Sequence, residues 1–309
     1  MSRRRRGEAV SGWVCLDKPL GLGSTQAVGA VRRAFNAQKA GHAGTLDPLA
    51  TGILPIALGE ATKTVSFLID ADKSYRFTIV WGITTASFDG EGAVTGTSDV
   101  RPSPPAAEAA LAGFLGEIEQ IPPAFSAVRV NGERAYDLAR AGISVELAPR
   151  RVTIHDARVV AAPDADHLTI EIDCGKGTYV RALVRDLALA LGACGHVGAL
   201  RRTRVGAFTE ERAIGLEKLE GLCDRGAPLE ALLPVETALD DIPELAVTIE
   251  DAFRLTQGRS IVLLPRHVET LRARLSASRT VSARQGGKIV ALCEMRAGRL
   301  NPTRVFNLP

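Results

Sequence analysis

Asp47 is the first side chain in these 309 residues that the backbone could hold still for chemistry. It stands between Leu46 and Pro48 in the stretch GHAGTLDPLATGILPIALG, Gly41 to Gly59, where glycines and prolines interrupt any long helix or strand. Pro48 fixes its own φ and biases the preceding residue away from the helical region, so the carboxylate is presented from a stiff, extended backbone. That geometry suits a nucleophile or a base, and it equally suits a plain turn. A nucleophilic carboxylate must be ionised, and a cation within about 4–6 Å favours that form. Other motifs are missing: there is no G-x-x-x-x-G-K-[ST] loop, no H-E-x-x-H, and no His/Cys grouping at ligand spacing. Gly21-Leu22-Gly23 does not extend to a dinucleotide fingerprint, because position 26 is Gln. Catalysis, if present, is expected to use ordinary side chains, with no cofactor and no metal.

The elements that must position Asp47 are legible as periodicity. Gly12-Trp13-Val14-Cys15-Leu16 reads as a strand ending at Asp17-Lys18-Pro19, and Ser24 is expected to cap a helix with Ala27, Val28, Val31 and Phe35 on its apolar side. Tyr75 to Val80 has the alternation of a half-buried strand, and further strands are expected at Arg151 to Val160 and His167 to Cys174. Between them Pro102-Ser103-Pro104-Pro105 leads into an Ala-rich helix reaching about Phe114. Thr178 to Leu191 returns to helical spacing, with Val180, Val184, Leu187 and Leu191 on one side and Arg181 and Arg185 one turn apart on another. Beyond Pro243, runs at Ile261 to Leu264, Val281 to Arg284, Lys288 to Met295 and Arg304 to Phe306 read as a small β domain.

Composition sets the class. The chain is 46% hydrophobic, long enough for a large and a small domain, and has no apolar run of membrane-spanning length. Its N-terminus opens on Arg3 to Arg6 with no apolar segment of a secretory signal, which predicts a cytoplasmic protein. Five scattered cysteines, none in C-x-x-C, are expected to be small core residues. From Asp251 to Pro309 there are 11 Lys and Arg against 3 Asp and Glu, whereas the first 250 residues carry 27 against 32. A basic tail on a weakly acidic body fits a polyanion partner, and fits a solvated basic surface as well.

The segment Gly41-His42-Ala43-Gly44-Thr45-Leu46-Asp47-Pro48-Leu49-Ala50-Thr51-Gly52, with Leu54-Pro55 and Gly59-Glu60-Ala61-Thr62-Lys63, closely resembles the signature of the TruB family of tRNA pseudouridine-55 synthases. Agreeing segments follow in the family's order: Asp17-Lys18-Pro19, Lys73-Ser74-Tyr75, Gln120-Ile121-Pro122-Pro123 with Phe125-Ser126-Ala127, Asn131 to Arg140, Cys174 to Arg181, His196-Val197 and Leu200-Arg201-Arg202-Thr203. The resemblance covers Gly12 to Thr203 strongly. Past Pro243 it weakens to the look of a small PUA-like domain.

This resemblance implies an α+β (mixed α/β) fold: an antiparallel-rich central sheet of the pseudouridine synthase type over residues 1–242 and a PUA-like RNA-binding domain over 243–309. It implies that Asp47 attacks a uridine of the TΨC stem-loop of tRNA so that uracil leaves C1′, turns and rejoins through C5. Whether attack falls on C1′ or a glycal forms is open at this level. Arg181 would be the cation beside Asp47, and Tyr75 would stack on the flipped uracil and help move the C5 proton. Tyr179 would line the pocket, Leu200 would pack on the base, and His42 would fill space opened by flipping. Lys18 would support the site wall. By charge rather than by resemblance, Arg150, Arg151, Arg201, Arg202 and Arg204 could line the RNA path. A stand-alone monomer is expected. Two other readings share this sequence: a tRNA-binding folding factor, and a base-removing hydrolase.

Overall fold

The computed structural model describes residues 7–126, 128–130, 132–143, 145–275 and 279–308. Arg3 to Arg6, Ala127 and Asn131 lie outside them. Ten strands form the main sheet. From one edge it runs Ile214–Gly215, Gly12–Lys18, Ala50–Leu58, Gly195–Val205, Lys73–Trp81, His167–Cys174, Arg150–Ala161 and Gly116–Gln120. Ala40–His42 pairs with Ala50–Leu58, and Phe208–Thr209 with Gly195–Val205. Pairing is antiparallel except where Gly12–Lys18 meets Ile214–Gly215 and where Ala50–Leu58 meets Gly195–Val205.

Strand sequence follows from what lies on each face. Trp13 and Cys15 face a cluster with Ile53 and Phe208, while Val14 and Leu16 face the helices Ser24–Ala34 and Leu216–Asp224. Both faces being covered, this strand and Ala50–Leu58 read as unbroken apolar runs. Lys73–Trp81 alternates instead: Phe77, Ile79 and Trp81 are buried against Leu183, Val184 and Leu187 of the helix Val180–Ala190, whereas Arg76 faces out. Ser103 caps the Pro104–Leu111 helix, as Ser-Pro-Pro spacing anticipates.

One expectation is corrected. Ser24 is the first helical residue rather than the cap; Gly23 holds that position, its N–H satisfied by Gln26 Oε1 at 2.9 Å. The Ser24 hydroxyl is occupied elsewhere, as shown below. The tail carries two helices, Ile249–Thr256 and Pro265–Arg274, beside a five-stranded sheet ordered Glu244–Ala246, Thr280–Gln285, Lys288–Arg296, Arg299–Val305, Ile261–Val262. Ile249–Thr256 has Ile249, Ala252 and Phe253 at helical spacing behind a Thr248 cap, a signal legible in the sequence. Of the cysteines, Cys15, Cys174 and Cys293 are buried, and Cys194 and Cys223 are half-buried.

The tail is joined to the body by a shared core. Ile289, Leu292 and Phe306 belong to the same cluster as Trp13, Phe208, Val235 and Leu239. Around it, Lys63 donates to the carbonyl of Val305 at 2.7 Å and Asn307 N–H donates to Glu60 at 2.7 Å.

Candidate active site

Asp47 lies in the loop between Ala40–His42 and Ala50–Leu58, and three side chains grip that loop by its backbone. The Ser24 hydroxyl donates to Leu46 O and accepts from Leu46 N, both at 2.8 Å. Lys18, fully buried, donates from Nζ to Leu22 O at 2.7 Å, Pro19 O at 2.9 Å and Pro48 O at 3.4 Å. Arg202, 1% exposed, donates to Ile53 O at 2.7 Å, Gly44 O at 3.2 Å and Thr45 O at 3.4 Å. Burial lowers the Lys18 ammonium below its ordinary pKa, with Asp47's charge opposing and Arg202 adding to the shift. Buried main-chain carbonyls need donors, and here cations supply them.

Gly52 makes this packing possible. Its φ is +97°, and a Cβ there would sit 2.2 Å from Arg202 O on the adjacent parallel strand. Only glycine reconciles that backbone with that approach.

The Asp47 carboxylate is 47% exposed and meets Arg181, whose own side chain is 9% exposed. Arg181 Nη2 donates to Asp47 Oδ2 and to Phe125 O, each at 2.8 Å; Nη1 donates to Ser87 O at 3.1 Å and lies 3.3 Å from Asp89 Oδ2. Arg181 sits in the first turn of its helix, where the macrodipole disfavours a cation, so these acceptors hold it in place. Asp89 is in turn fixed, its Oδ1 accepting from Ser87 Oγ at 2.5 Å and Glu91 N at 3.1 Å. Arg185, one turn on from Arg181, pairs with Asp186 and lies 5.6 Å over the ring of Phe88, the residue between the Ser87 and Asp89 partners of Arg181.

Tyr75 and Phe77 pair across the sheet with Arg202 and Leu200, which puts Tyr75 and Leu200 on one face. Burial raises the Tyr75 phenol above its ordinary pKa, against the opposing pull of Arg202. Leu200 joins Asp47, Leu49, Asp89, Arg181 and Val197 around a narrow cleft of ≈ 10 Å³ that opens to solvent. Tyr179 stands at the N-cap of the Arg181 helix, half-buried and outside that lining. His42 lies behind the loop, its Nδ1 buried without a partner among the described residues. Burial, then the Arg202 charge, lowers its pKa.

The five arginines expected along the RNA path fall in different surroundings. Arg202 is enclosed and spent on the Asp47 loop. Arg201 and Arg204 pair across with Arg76 and Ser74, on the opposite face of the sheet from Tyr75. There Arg201 binds Asp17 and Glu210, and Arg204 binds Asp173. Side chains alternate along a strand, so neighbours in sequence separate in space. Arg150 and Arg151 are exposed at the start of the strand beside the Gly116–Gln120 edge, where Arg151 lies 3.1 Å from Glu117. Asp89 and Ser87 were not foreseen; Asp89-Gly90 reads only as a turn, and nothing local announces its partner.

Residues 32–180 match the model for the TruB family pseudouridylate synthase N-terminal domain, and residues 181–240 that for the tRNA pseudouridylate synthase B C-terminal domain. The tRNA pseudouridine synthase B of Caulobacter sp. strain K31 is 69% identical over 309 residues, and that of Caulobacter vibrioides 70%, each comparison spanning both chains entirely. The protein of the same name in Bradyrhizobium diazoefficiens is 55% identical, over 99% of this chain and 88% of its own. A solved Cbf5-Nop10-Gar1 complex superimposes with a TM-score of 0.72 at 25% identity, covering 96% of this chain and 85% of that one. An H/ACA RNP bound to a substrate RNA containing 2′-deoxyuridine gives 0.73 at 22% identity, covering 100% and 92%; this likeness is one of fold.

Proposed function

Because this chain belongs to the TruB family of pseudouridylate synthases and isomerises uridine in tRNA, we propose that its target is uridine 55 in the TΨC stem-loop and that Asp47 is the nucleophile. The observation that carries the reading is the Asp47–Arg181 contact of 2.8 Å at the lip of a cleft, with the carboxylate half exposed and the guanidinium enclosed. A carboxylate so placed is open to substrate yet aimed by a fixed partner.

The target base is stacked inside a folded arm, so it is everted first, at a cost of a few kcal/mol. Leu200 packs on the everted ring, Tyr75 stacks against it, and Tyr179 closes the pocket beside them. Asp47 then displaces uracil from C1′ and forms an ester to it; the ring turns, C5 attacks C1′ and expels the Asp47 carboxylate, and C5 loses its proton while N1 gains one. In the glycal route the same carboxylate begins the reaction, and Asp47 is needed in both. Asp89 holds Arg181 from the far side, so the guanidinium cannot swing away when the substrate enters. His42 fills space behind the flipped nucleotide, and Lys18 and Arg202 act on substrate only through the loop they hold. Residues 1–242 form the catalytic unit and 243–309 an RNA-gripping, PUA-like unit whose basic side chains meet the acceptor side. The enzyme works as a monomer in the cytoplasm without a cofactor.

Asp47→Asn is expected to bind unmodified tRNA transcript normally and form no pseudouridine when product is mapped by position. Pseudouridine at the wild-type rate from this variant removes the mechanism. Mass spectrometry of the RNA gives a second check, since isomerisation leaves mass unchanged and base loss does not.

A further inference from the structure

Gln120 ends the edge strand Gly116–Gln120 and is 1% exposed. The chain leaves the sheet after it and re-enters directly opposite, at Arg150. Gln120 Oε1 accepts from Tyr179 N at 2.8 Å, across 59 residues of sequence. Tyr179 is the N-cap of the helix that carries Arg181 in its first turn, and no side-chain cap bond is made at that end. In a capping box, a Gln or Glu inside the helix reaches back to the N-cap N–H. Here that acceptor comes from a distant strand.

The second half of the same amide argues that the bond matters. Gln120 Nε2 is buried without a partner among the described residues. An orphaned buried N–H costs stability, and a methionine of the same length would fill the space without it. Five residues on, the Phe125 carbonyl takes Arg181 Nη2. The segment leaving the sheet therefore touches the Arg181 turn twice, at its backbone through Gln120 and at its guanidinium through Phe125.

We propose that Gln120 is a positioning residue for pseudouridine formation: by holding the Tyr179 N–H it sets the place of the helix turn that presents Arg181 to Asp47. The proposal rests on Arg181 being Asp47's partner in the reaction. Gln120→Met removes the acceptor at constant length and is expected to lower kcat about tenfold while KM for tRNA stays within about twofold. Gln120→Glu keeps the acceptor and is expected to retain kcat within about threefold of wild type, a rescue that loss of packing alone does not predict. Unchanged kcat in Gln120→Met, or equal losses in both variants, overturns the proposal. Arg181→Met, measured beside them, separates the two claims: if it retains kcat the underlying reading fails, and if it alone loses kcat only the role of Gln120 fails. Hydrogen exchange on the wild-type protein tests the bond without any substitution. A Tyr179 amide as protected as the helix interior supports the proposal, and free exchange there overturns it.

Discussion

At the scale of single residues, the site is an exercise in where cations are spent. Arg181 faces two carboxylates and two carbonyls, while Arg202 and Lys18 face main-chain carbonyls of the Asp47 loop and the turn beside it. His42 is neutral in such company, its pKa lowered by burial and by Arg202. In the unfolded chain it takes a proton near pH 6.5, whereas the folded protein resists that proton, so stability present above pH 6.5 is lost as pH falls towards the folded value. Denaturant midpoints at about pH 7.5 and about pH 5.5 should therefore separate more in the wild type than in His42→Asn. Equal separations would show that His42 contributes no linkage. The motif made His42 and Asp47 visible in the sequence. Asp89 was invisible because its function comes from a neighbour on a helix 92 residues further on, which no local pattern reports.

At the scale of elements, the decisive join is the parallel pairing of Ala50–Leu58 with Gly195–Val205, which brings Leu200 and Arg202 to the start of the strand that follows Asp47. Gly52→Ala should break it, since the methyl meets Arg202 O at 2.2 Å on a backbone of positive φ. A loss of about 3 kcal/mol is expected from strain and overpacking together, read as a lower urea midpoint with activity falling in parallel. Wild-type stability in that variant would mean that the two strands are free to part. The strands Lys73–Trp81 and His167–Cys174 were legible because one face of each is buried. Ser24 was misread as a cap because its hydroxyl had a better use, holding Leu46.

At the scale of the whole molecule, the charge asymmetry of the chain becomes a tail sheet docked on the main sheet through Ile289, Leu292 and Phe306. Basic side chains on that tail should make tRNA binding steeply salt-dependent, with affinity falling tenfold or more between about 50 mM and about 200 mM salt. Filter binding measures this directly, and a flat response would exclude phosphate contacts as the source of affinity. The sequence by itself determined the Asp47 loop, the strand and helix periods that frame it, and the division between a weakly acidic body and a basic tail, because each is written in local residue types. Tertiary structure alone decided which of the other arginines are enclosed or turned away, and that Asp89 and Gln120 reach the helix turn of Arg181. The physical reason is register: bulges between Val197 and Ala199 and between Arg202 and Arg204 set which side chains of that strand face the cleft, and such shifts are fixed by packing between segments far apart in the chain.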